Sequence, residues 1–155
     1  MKKMIVLIGF ILSVISASHA QCTLPYQSLS AFNNDTTVFV KYNFSDRKEC
    51  YVGKTMADLI SDLGIPIQSF LVSCDEHWSD LYSGIYLHLY PYSDILKVED
   101  NNVYKNEICI EWETSLEQVL LDSLKEKADR HKWTSQIYDL LKDRKIKSIG
   151  VVRKI

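Results

Sequence analysis

The chain has 155 residues, of which 46% are hydrophobic and 25% charged, with a formal net charge of −2. That length and apolar fraction suit one folded domain with a substantial core. A mildly acidic balance gives no electrostatic reason to expect nucleic acid or an anionic membrane as a partner.

Residues 1–20 read as a secretory leader. Met1-Lys2-Lys3 is the basic start, Met4 to Ile15 the apolar stretch, and Ser16-Ala17-Ser18-His19-Ala20 the small, polar end, with cleavage expected after Ala20. The apolar stretch is too short to span a membrane, which takes roughly 20 residues. Cys22 raises the alternative of a bacterial lipid anchor, but that processing wants a small residue immediately before the cysteine, and Gln21 stands there. An exported protein without an anchor is therefore expected, in the periplasm or outside the cell. Losing the leader, with Lys2 and Lys3, leaves 135 residues with 16 basic against 20 acidic side chains. No repeat, low-complexity tract or Pro/Gly-rich linker divides residues 21–155, which read as a single α+β domain.

In chain order, "TTVFVKYNF" (36–44) places Val38, Val40, Tyr42 and Phe44 on one side by alternation, which predicts a strand. Gly53-Lys54-Thr55 has the ending of a phosphate-binding loop, but Lys48 stands where the required first glycine would be. Thr55 with Asp58 instead predicts a capping box, followed by a helix with Met56, Leu59, Ile60 and Leu63 on one face and Gly64 and Pro66 at its end. "IPIQSFLVSC" (65–74), "GIYLHLY" (84–90) and "NEICIEW" (106–112) read as strands. Ser115 with Gln118 predicts a helix carrying Leu116, Val119, Leu120 and Leu124. Trp133 before Thr134 predicts another, stapled by Trp133 on Tyr138 and closed by the basic "KDRKIK". A last strand, "KSIGVVR", follows. The order β-α-β-β-β-α-α-β predicts an α+β fold, a mostly antiparallel sheet of about five strands with two or three helices packed on one face.

Cys22, Cys50, Cys74 and Cys109 are four cysteines with no CxxC pair, which in an exported protein points to two disulfides and away from a zinc site. The expected bridges are Cys50–Cys74, which flanks one helix, and Cys22–Cys109, where an N-terminal arm reaches a residue off the core face. The sequons at Asn34 and Asn43 are expected to stay unmodified in a bacterial protein.

The stretches "VGKTMADLISDLGIPI", "EICIEW" and "WTSQIYDLLKDRKIKSIGVV" together resemble a loose group of small, signal-peptide-bearing proteins of Bacteroidota-type bacteria. The resemblance covers most of the chain after the leader, with Cys22 and residues 115–130 outside the pattern. It implies an exported bacterial α+β protein, one that protects its producer by binding another molecule, and it carries over no catalytic residue.

Three groups of side chains could carry function. If the third and fourth strands pair, Tyr86, His88, Tyr90, Glu107 and Glu111 share the face opposite the core. An imidazole between carboxylates suits general-base or metal chemistry; exposed Tyr equally suits a protein interface, or the face is simply covered. In the loop Asp75 to Tyr82, His77 and Trp78 offer a partner an aromatic anchor, or only pack the loop down. Cys74 with His77 does not make a complete thiol site, since no third orienting residue is present. The basic C-terminal run, from Lys142 to Lys154, reads as an acidic partner's counterpart or as ordinary helix-end and edge-strand charge. No cofactor or metal is implied. The leading expectation is a non-enzymatic binding or interaction protein, in its most concrete form immunity-like, blocking a toxin; the rival is a small periplasmic hydrolase using His88 or His77 with Glu107 or Glu111.

Overall fold

The computed structural model describes residues 22–74, 80–94, 106–126 and 129–153. The expected leader, and with it the cleavage site at Ala20, lies outside the described residues, as do His77 and Trp78.

The first described third of the chain is helical. Asn33 and Asn34 take positive φ (53° and 62°), the left-handed region that Asn tolerates better than most residues. Asp35 then caps α1 (Thr36–Val40), its carboxylate accepting the Thr37 and Val38 amides at 2.9 and 3.1 Å. The helix widens into a π turn over Lys41–Asp46 and gives way to a 3-10 turn, Lys48–Cys50. The expected first strand is therefore a helix. Its residues are β-branched and alternate, but the buried ones are Phe39, Val40, Asn43, Phe44 and Arg47, a helical spacing, while Val38 is 44% exposed.

A polar knot holds the N-terminal arm to this region. Asn43 Nδ2 donates to the Gln27 carbonyl (2.9 Å), Arg47 Nε to the Leu24 carbonyl (2.9 Å) and Arg47 Nη1 to Asn43 Oδ1 (3.2 Å). Cys22 bonds Cys50 beside it. Asn43 is fully buried, so the folded chain leaves no room for a glycan there.

Helix α2 (Met56–Leu63) follows expectation. Thr55 and Asp58 form the reciprocal capping box, Gly64 closes the helix at φ 60°, and Met56, Leu59 and Leu63 are buried. The Gly53 amide donates to the Ile146 carbonyl at 2.8 Å and the Lys54 amide to the Tyr51 carbonyl at 3.0 Å, while the Lys54 ammonium lies 5.5 Å from the centre of the Tyr51 ring. Those backbone donors serve the fold, which removes the phosphate-loop reading.

Among the described residues four strands, where about five were expected, form one antiparallel sheet in the order β1 (Ser69–Cys74), β2 (Leu81–His88), β3 (Asn106–Glu117), β4 (Ile146–Arg153). Register sorts the side chains into rows. Phe70, Leu87, Ile108 and Val151 form one inner row and Val72, Ile85, Ile110 and Ile149 the next. Helices α1, α2 and α4 (Ser135–Leu141) contribute to the same core cluster as these rows. Gly84 lets β2 press onto β3, since a Cβ there would collide with the Ile110 carbonyl.

Strand β3 runs past the point where Ser115 was expected to start a helix. Leu116 and Glu117 pair with Tyr82 and Leu81, and Arg144 Nη1 holds the Thr114 and Ser115 carbonyls at 2.9 and 3.2 Å. Only one turn remains, α3 (Gln118–Asp122), with Leu121 buried and Val119 and Leu120 exposed. Trp133, expected against Tyr138, lies edge-on to Phe70 with ring centres 6.0 Å apart.

Both expected disulfide pairings are corrected. The bridge is Cys22–Cys50, and Cys74 and Cys109 are free thiols. Strand order explains why they stay apart. β1 and β3 lie on either side of β2, roughly 9–10 Å apart, beyond the ~7 Å that a disulfide bridges between Cα atoms.

Candidate functional site

The outer face of the sheet, opposite the helices, carries the residues singled out from the sequence. Its rows are Leu71–Tyr86–Cys109–Gly150 and Ser73–Gly84–Glu111–Ser148. Beyond them, Ser69 pairs with His88 and Glu107 with Val152. Tyr86, His88, Glu107 and Glu111 therefore do share one face, and Tyr90 follows β2 at its end. Their environments differ sharply along it.

At the open end, Glu111 and Ser148 are exposed, and the Ser148 hydroxyl donates to Glu111 Oε2 at 3.0 Å. In the middle row Tyr86 and Cys109 are half-buried and hydrogen-bonded to one another. The adjacent thiol, followed by burial, raises the Tyr86 phenol above its ordinary value. Burial, aided by Glu111 and Glu107, raises the Cys109 thiol against the pull of Tyr86. This cysteine is held in its protonated, unreactive form.

At the closed end, Ser69, His88 and Glu107 form a row with exposures of 1%, 0% and 3%. His88 Nδ1 lies 3.3 Å from Ser69 Oγ, and His88 Nε2 lies 3.5 Å from Glu107 Oε1. Ser69 Oγ also lies 2.7 Å from the Tyr90 carbonyl, to which it donates. A hydroxyl has one proton. With that proton committed to Tyr90, Ser69 accepts from His88 Nδ1–H, while the 3.5 Å approach of Nε2 to the Glu107 carboxylate is longer than a good hydrogen bond. The Tyr90 ring stacks on the imidazole at 5.4 Å and 30°, and burial, followed by the Glu107 charge, holds its phenol well above the ordinary tyrosine range.

The order Ser, His, Glu resembles a nucleophile relay, but its protons run the wrong way. A serine nucleophile needs its O–H directed at an imidazole lone pair. Here the hydroxyl donates to a carbonyl and the imidazole donates to the hydroxyl. The row is also closed to solvent. The sequence pointed to His88 and Glu107 but not to Ser69, whose place depends on the β1–β2 register. An open groove of ≈ 300 Å³ elsewhere, lined by Glu113, Thr114, Leu140, Asp143, Arg144 and Lys145, contains no imidazole. Among the described residues no group of three or more His, Cys, Asp or Glu side chains is placed to hold a metal ion. Nor, among them, is any helix long and apolar enough to cross a membrane.

Fold and site together define a class: an antiparallel α+β protein with helices on one face of its sheet and, on the other, a polar row sealed at one end. No protein-family model, curated protein or solved structure matches the chain.

Proposed function

We propose that this is an exported, non-enzymatic binding protein that meets a partner with the open end of its outer sheet face, around Tyr86, Cys109, Glu111 and Ser148. One observation carries the reading. The imidazole and carboxylate able to do chemistry are buried, with the Ser69 hydroxyl proton committed to the Tyr90 carbonyl, while beside them Tyr86 is half-exposed and Glu111 exposed. A half-exposed Tyr offers a large, stiff contact with a polar tip, the kind of side chain that anchors protein interfaces. An immunity-like role, blocking a toxin, is the most concrete form of the proposal.

Export is supported by the leader pattern and by the Cys22–Cys50 bridge, which suits an oxidising compartment. The bridge also weighs against the lipid anchor, because a sulfur in a disulfide has no valence left for a thioether to lipid. The hydrolase alternative rests on the 3.5 Å approach of His88 to Glu107 and requires that row to open.

A photo-crosslinking residue placed at Tyr86 or Glu111, and as a control at exposed Ser61 on α2, tests the proposal in the exporting cell. Capture of one species from the outer face and none from Ser61 is expected. Equal capture from both sides, or turnover of ester, phosphoester or glycoside substrates that is lost in His88→Ala, refutes it.

A further inference from the structure

The chain leaving β2 is tied back onto the sheet at several points. Gln68 Nε2 donates to the Leu89 carbonyl at 3.2 Å and Ser69 Oγ to the Tyr90 carbonyl at 2.7 Å. Tyr90 stacks on His88, and the Tyr92 ring stacks on His131 at 3.8 Å and 26°. His131 is itself fixed to the β1 edge. Its Nδ1 lies 3.2 Å from the Phe70 carbonyl, its own carbonyl accepts the Phe70 amide at 2.8 Å, and Lys132 bridges to Ser69. Residues 89–94 thus form a strap whose two aromatic rings each rest on a histidine, and the imidazole beneath Tyr90 is the sealed one.

We propose that this strap is released by acid: neutral His131 keeps Tyr92 docked, and protonation of His131 frees that end of the strap and uncovers the Tyr90–His88–Glu107 stack.

Two kinds of group face His131. Lys125, beyond α3, and Arg130, on its own turn, are cations that oppose a further charge, while Asp129 and the Phe70 carbonyl favour it. Lys132 has its ammonium 3.2 Å from Glu126, and Lys125 lies 2.6 Å from Asp122. Tyr92 covers the ring and removes water from it. Nδ1–H donates to Phe70 in either charge state, so the second proton arrives at Nε2. The balance falls against the imidazolium: burial, ahead of the other influences, lowers the His131 pKa below its ordinary 6.5. A lowered pKa means that the docked strap contributes fully above that ordinary value. Its contribution fades as pH falls below it, because the open form takes the proton more readily. The competing effect is cation–π attraction between imidazolium and the Tyr92 face, which would tighten the strap in acid. The two predict opposite signs.

Hydrogen exchange of the leader-free protein, corrected for intrinsic rates and followed from pH 7.5 to 5, decides between them. Exchange over 89–94 is expected to accelerate on acidification by up to about tenfold per pH unit, while the β2–β3 core stays protected. In His131→Asn, whose amide nitrogen still reaches the Phe70 carbonyl but cannot titrate, the acceleration should vanish. Constant or increased protection in acid, simultaneous loss in the core, or the same acceleration in His131→Asn overturns the proposal. Should that variant fail to fold, NMR titration of the wild type serves: His131 protonation and the Tyr92 ring shifts must share one midpoint, and separate midpoints overturn it. The inference stands whether or not the outer face binds a partner.

Discussion

Removing Glu107 is the sharpest probe of the sealed row. With both groups charged, an effective dielectric of about 20 gives the 3.5 Å pair an attraction of roughly 5 kcal/mol. The desolvation penalty is several kcal/mol per ion. The intact pair is then close to neutral for stability, but a broken pair is not. Glu107→Ala leaves His88 fully buried with its Nε2 side stripped of an acid, and should cost about 3–5 kcal/mol. Replacing both residues, as in His88→Leu with Glu107→Leu, removes the charges together and should restore most of that loss, with Ser69 keeping its bond to Tyr90. Urea unfolding of wild type, both single variants and the double variant gives the coupling energy directly. Single losses below about 1 kcal/mol, or additive losses with no coupling, would mean that the imidazole and carboxylate are not a sealed pair and are available for hydrolase chemistry.

The Cys22–Cys50 bridge spans a sequence separation of 28, for which chain entropy predicts a stabilisation of roughly 3–4 kcal/mol. Reduction should therefore lower the urea midpoint and, by letting the unfolded chain expand, steepen the slope; an unmoved midpoint would show that the bridge does not constrain the unfolded chain. Thiol counting under denaturing, non-reducing conditions should find the two thiols of Cys74 and Cys109; none would restore a second bridge. In the native protein exposed Cys74 should react with a disulfide reagent on the order of tenfold or more faster than Cys109, whose thiol burial keeps protonated. Equal rates would contradict the description of the middle row.

What was legible in the sequence was whatever is encoded locally. The capping box at Thr55 and Asp58, the Thr134 cap, whose hydroxyl accepts the Ile137 amide, and the alternation through β2 and β3 all needed only a few neighbouring residues. So did the sorting of Tyr86, His88, Glu107 and Glu111 onto one face. Residues 36–44 failed because the β-branched run satisfies both periods; the deciding signal was upstream, in Asn33-Asn34-Asp35, and in the spacing of Phe39, Asn43 and Arg47. The disulfide pairing was not legible because it depends on where the N-terminal arm docks: Asn43 and Arg47 hold the Gln27 and Leu24 carbonyls, which brings Cys22 to Cys50. The burial of His88 was hidden for a related reason: alternation tells which face a side chain takes, but only tertiary structure tells what lies over that face.

The exposure gradient along the outer face makes its two ends separable. From exposed Glu111 and Ser148 through half-buried Tyr86 and Cys109, solvent contact falls to nothing at His88. A partner approaching the sheet therefore touches the middle and open rows first, and cannot reach the imidazole while Tyr90 rests on it. Substituting Tyr86 should weaken capture without altering the pH response of the strap. Substituting His131, at the β1 edge and bonded to Phe70, should alter that response without touching the contact rows. If one substitution moved both readouts, the face would be a single coupled unit in which binding and strap opening compete. The sealed row would then be the inner part of the binding site, not merely its neighbour.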